Sequence, residues 1–66
     1  MISESVVTRF STMLKIKEDR LNSLIEREEE LSEQDEYLST NEFMDKEILE
    51  AEIELIEEFL TILKHA

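Results

Sequence analysis

The side chains in this sequence with chemical potential are mostly carboxylates: 18 Asp and Glu stand against 7 Lys and Arg and a single His. Metal binding is the first use to ask of them. Helical di-metal centres hold their ions with carboxylates on facing helices and a Glu-x-x-His pair. The residue three places before His65 is Ile62, so that motif is absent. Glu28 and Glu52 are the acids that fall among apolar positions, and a buried pair of carboxylates can hold a cation. An ion pair with Lys17 or Arg20, or a polar layer that sets helix register, accounts for the same two residues without a metal. The ion pair is the expectation, with no metal and no other cofactor.

Catalysis finds little to build on. Ser5, Ser11, Ser23 and Ser39 have no histidine placed to relay a proton, and there is no Cys nucleophile. Carboxylate pairs occur everywhere on an acidic helix, so their spacing carries no information. A chain this small offers no concave pocket of the size substrates need. The expectation is a protein that is not an enzyme.

A third use of carboxylates is imitation. Acids along a rigid helix can resemble a row of phosphates and occupy the nucleic-acid groove of another protein. The run Glu26–Glu36 is the candidate, with Glu26, Glu29 and Glu30 turned away from the apolar positions to form an acidic face. This is an alternative reading; the plainer meaning of such a run is a solvated helix end.

These side chains must be positioned by helices. The chain has 66 residues and no Gly, Pro or Cys. Tight hairpins and phosphate-binding loops lean on Gly and Pro, so their absence points to helices joined by a polar connection. One small domain spanning 1–66 is expected, without disulfides. Domains of this size usually need a metal, a disulfide or a partner chain to be stable, and the partner chain is the remedy left. The net charge is −11. Residues 1–25 balance Arg9, Lys15, Lys17 and Arg20 against Glu4, Glu18 and Asp19, whereas within 26–58 only Arg27 and Lys46 offset the acids. Direct binding to nucleic acid or to an anionic membrane surface needs a basic face and is not expected. The sequence shows no secretory leader and no apolar run of membrane-spanning length, which makes the cytoplasm the expected compartment.

The apolar periodicity predicts two helices, at about 4–32 and 41–64, with the connection at about 33–40. The first is expected to start after Ser3 as N-cap, with Glu4 near the positive helix end. Its seam is Val7, Phe10, Leu14, Leu21, Leu24 and Leu31 at alternating spacings of three and four, with Lys17 and Glu28 completing the series. Val6, Met13, Ile16 and Ile25 flank and widen it. Acids crowd the last turn, at the negative helix end, so fraying is expected there. In the connection, Tyr37 and Leu38 are apolar enough to fold back over the helix ends. Ser39 with Glu42 three residues on is a capping-box pattern and the best start signal in the chain. The rival reading is one uninterrupted helix used as a coiled coil.

The stretch Phe43–Lys64 is the most strongly periodic. At 100° per residue, Ile53, Ile56, Leu60 and Leu63 lie within about 40° of Leu49 and make a seam that can pack on the first helix. A second stripe of Met44, Ile48, Leu55, Phe59 and Ile62 lies about 80–140° away. The two span about 200°, where a surface helix typically needs little more than 100°. That surplus predicts a second cover: an all-α antiparallel two-helix hairpin that dimerises into a four-helix bundle, or one that presents the stripe to another protein. The function it implies is a non-catalytic interaction module, a small adaptor, chaperone or inhibitor. A purely structural self-assembling bundle is a further alternative.

In layout the chain resembles two kinds of protein. One is the family of plasmid copy-number regulators typified by Rop, two-helix hairpins whose dimers are four-helix bundles. That family binds RNA through a basic and polar face, which this acidic sequence lacks, so the resemblance implies architecture alone. The other is the small helical-hairpin chaperones that hold needle subunits in type III secretion, similar in size, in two-helix form and in a second helix dense with Leu and Ile. Small acidic helical proteins are also common among phage-encoded inhibitors of host factors.

Overall fold

The computed structural model describes residues 4–65, and within them the chain is two helices, α1 (Glu4–Glu33) and α2 (Thr40–Lys64). The helices pack against each other along their length as a hairpin. The molecule measures 52 × 16 × 14 Å. Its radius of gyration is 15.1 Å, where a compact chain of this length has about 11 Å. The single-helix alternative is excluded, because the chain turns between Glu33 and Thr40. The expected N-cap, Ser3, lies outside the described residues.

The end of α1 departs from expectation. The helix does not fray at its acidic last turn but closes with a backbone cap. The Glu36 N–H donates to the Leu31 carbonyl at 2.7 Å, and the Asp35 N–H donates to the Ser32 carbonyl at 3.1 Å. These two bonds form the Schellman pattern, which needs a left-handed residue between them. Asp35 supplies it at φ 57°. Glycine is the usual occupant; in a chain without glycine an aspartate takes the position, a residue type that tolerates it through local hydrogen bonding. The satisfied carbonyls hold the turn despite the unfavourable charge around it. Leu38 packs half-buried beneath the connection, whereas Tyr37 is 90% exposed and does not fold back.

The start of α2 is a complete capping box. The Glu42 N–H donates to Ser39 Oγ at 3.2 Å, and the Ser39 N–H donates to Glu42 Oε1 at 3.4 Å. The far end of α2 carries Lys64 in its last turn, favourable at the negative helix pole.

Among the described residues only Leu49, Ile56 and Leu60 are buried, all on α2. Val7, Phe10, Leu14, Leu21, Leu24 and Leu31 of α1 face them half-buried, as do Ile53 and Leu63 of α2. The physical reason is the two-helix geometry: each side chain between a single pair of helices is covered on one side and open on the other. Each buried aliphatic group contributes roughly 1.5–3 kcal/mol, so three of them give little margin over the entropy of ordering the chain.

Candidate interaction face

The polar residues within the seam are paired across the helices. Lys17 Nζ lies 2.9 Å from Glu52 Oε2, and Lys46 Nζ lies 3.0 Å from Glu28 Oε1 and 3.2 Å from its Oε2. The two acids of the apolar arc therefore each hold a lysine ammonium rather than each other. Hydrogen bonding to Glu28 raises the Lys46 pKa, against a smaller opposing effect of burial. Among the described residues no cluster of three or more His, Cys, Asp or Glu is placed to hold a metal ion. A third pair, Arg27 with Glu42, ties α1 to the first turn of α2. Sequence spacing gave no sign of it, since Arg27 lies outside the seam. The Ser39 hydroxyl holds the Glu42 carboxyl below its usual range, with Arg27 adding to the effect.

Two more stripes run beside the seam, and both are built from the residue one place before each seam residue. In α1 these are Val6, Arg9, Met13, Ile16, Arg20, Ser23, Arg27 and Glu30; in α2 they are Ile48, Glu52, Leu55, Phe59 and Ile62. One residue is a 100° step in the same rotational sense. In an antiparallel pair that step carries both stripes to the same side of the hairpin. The sequence marked Val6, Met13 and Ile16 as flanking residues. Their shared face with the second stripe of α2 follows only once the helices are known to run antiparallel.

This face is apolar and open. Leu55 is 67% exposed, Ile62 64%, Met44 54%, Ile48 53% and Phe59 42%. Across from them Ile16 is 58% exposed and Met13 44%. Phe59 is partly engaged within the chain: its ring lies 4.9 Å from that of Phe10, tilted by 60°. Phe10, Leu55, Ile56 and Phe59 line an apolar recess of about 240 Å³ on the face. The whole chain exposes 5410 Å², roughly 1,000 Å² more than a compact monomer of its mass.

The opposite side of the hairpin is acidic and polar, with Glu18 and Glu29 of α1 beside Glu50, Glu54 and Glu57 of α2, all exposed. Glu26, Glu29 and Glu30 are each exposed. Near the connection an open recess of about 580 Å³ lies between Glu29, Glu36, Tyr37 and Phe43, which departs from the expectation of no concavity of substrate size. No described helix is long and apolar enough to cross a membrane.

No family model, no curated protein and no solved structure matches this chain.

Proposed function

We propose that this chain is a non-catalytic protein-interaction module of the cytoplasm, a small adaptor, chaperone or inhibitor, and that its binding surface is the apolar face carried by α2. The observation that supports the reading is the row Met44, Ile48, Leu55, Phe59 and Ile62, each at least 42% exposed. Apolar side chains contiguous along a helix mark an interaction surface when they remain open to water. Capping that face, with a second copy in a four-helix bundle or with another protein, would recover the burial these groups forgo in the hairpin.

The test is a pair of substitutions at the most exposed positions, Leu55→Glu with Ile62→Glu. Phe59 is avoided because it packs on Phe10. A variant that keeps its helical circular dichroism and loses association, read as molar mass by light scattering, supports the face. Unchanged association in the folded variant overturns it.

A second reading draws on the acidic side. Glu18, Glu29, Glu50, Glu54 and Glu57 line one flank of a rigid hairpin, as an imitation of nucleic-acid phosphates requires. Binding of that kind would weaken steeply with salt and fail when Glu29, Glu54 and Glu57 are neutralised.

A further inference from the structure

We infer that the apolar face is covered by a second copy of this chain, in a four-helix bundle whose two turns lie at the same end and in which α1 of each copy packs on α2 of the other. The inference rests on the interaction reading above and adds the occupant and its orientation.

Area is the first argument. The surplus of roughly 1,000 Å² over a compact monomer is close to the 800 Å² or so that each partner contributes to a standard stable interface.

Charge is the second, and it chooses the partner. Arg9 and Arg20 interrupt the α1 stripe of Val6, Met13 and Ile16 on this face. Glu47 and Glu58 border the α2 stripe on its outer edge, both exposed. The salt bridges among the described residues involve none of these four, although the chain holds 18 acids. The hairpin thus presents unpaired arginines along one edge of an apolar face and glutamates along the other, a surface complementary to itself.

Levels along the bundle decide the orientation. Phe10 opposite Phe59 and Lys17 opposite Glu52 fix how the two helices align. On that alignment Arg9 stands within about a turn of Glu58, and Arg20 within about a turn of Glu47. A two-fold axis along the bundle preserves these levels while setting α1 against α2 of the second copy. Arg9 then meets Glu58, Arg20 meets Glu47, and Val6 and Met13 meet Ile62 and Leu55. A two-fold axis across the bundle sets α1 against itself in reverse, so that with the helices centred Arg9 comes beside Arg27 and Arg20 beside Arg20 of the second copy, and like charges face each other.

The experiment uses the full chain. Light scattering over a concentration series gives the molar mass, and a spin label on Gln34→Cys, in the exposed turn, gives the distance between turns. A dimer is expected, with turns separated by two to three interhelix spacings, roughly 20–30 Å. Arg20→Glu and Glu47→Arg should each raise the dimer Kd by about tenfold or more, and the two together should restore it. Both positions are exposed, so folding, followed by circular dichroism, should not change. Turns separated by about the 52 Å long axis would overturn the orientation. A folded monomer at every concentration would overturn the second copy and leave the interaction reading for a foreign protein. A dimer indifferent to Leu55→Glu with Ile62→Glu would overturn the face itself, and both readings with it.

Discussion

Lys17 of α1 meets Glu52 of α2 at 2.9 Å, and farther toward the turn the charges are exchanged, with Glu28 of α1 meeting Lys46 of α2 at 3.0 Å. The exchange matters because it reads direction. Antiparallel helices satisfy both pairs, whereas a parallel arrangement would bring lysine toward lysine and glutamate toward glutamate. The pairs thus add specificity to a seam whose aliphatic side chains would accept several alignments. Lys17→Glu should destabilise the fold by about 1 kcal/mol, modest because both partners are part-exposed. Lys17→Glu with Glu52→Lys should return most of the loss in urea denaturation. A double variant no better than the single would show that the pair does not interact.

The left-handed Asp35 predicts a stabilising substitution. Asp35→Gly keeps both cap bonds, removes the steric penalty at Cβ, and takes an acid from the negative end of α1. Stability should rise by about 1 kcal/mol, which in a chain of this size shifts Tm upward by roughly 4–8 °C. Asp35→Val should shift it the other way, since a β-branched residue resists that backbone region.

The capping box makes α2 sensitive to pH at one identified group. Glu42 has a lowered pKa in the folded chain, chiefly through the Ser39 hydroxyl. A depressed carboxylate contributes stability above its unfolded pKa and loses it as pH falls through the folded one. Glu42→Gln should therefore be less stable than the natural chain at pH 7, with the gap closing below the usual carboxylate range. Thermal melts of both chains across pH 3–7 follow that gap. Ser39→Ala should cost about 1 kcal/mol at pH 7.

Burial separates neighbours on α2. Ile56 is 7% exposed and Leu55 67%. Ile56→Ala should cost about 2–4 kcal/mol, a large fraction of what so small a core provides. Leu55→Ala, measured under conditions where the chain is monomeric, should change stability by less than about 0.5 kcal/mol. Denaturation of the two variants side by side tests whether the face is spare to the fold.

Much of this architecture was legible in the sequence because helices announce themselves through side-chain spacing. The two helices, the Ser39–Glu42 capping box and the break between helices need only local patterns. Where reading failed, the controlling interaction was either backbone geometry or tertiary. Asp35 gives no sign of a left-handed cap when glycine is the residue one looks for, so the acidic end of α1 read as frayed. Tyr37 has an apolar ring but is 90% exposed, and stays in water. Lys17 had Glu28 and Glu52 as rival partners, and only the alignment of the helices assigns it to Glu52. The shared face of Met13, Ile16, Leu55 and Ile62 depends on helix direction, which spacing within one helix does not encode.

The pairing order of the hairpin has a kinetic consequence. Glu28 and Lys46 are 18 residues apart in sequence, and Lys17 and Glu52 are 35 apart. Formed separately, the wider closure costs about 0.6 kcal/mol more chain entropy per doubling of loop length. Once the inner pair is made, however, the outer one needs only a short further stretch of chain to be ordered. Chain entropy alone thus favours folding outward from the capped turn toward the Phe10–Phe59 ring contact. Amide hydrogen exchange should trace that gradient, slow near Leu49 and fast near Phe10, like a clasp that opens first at the end farthest from its hinge.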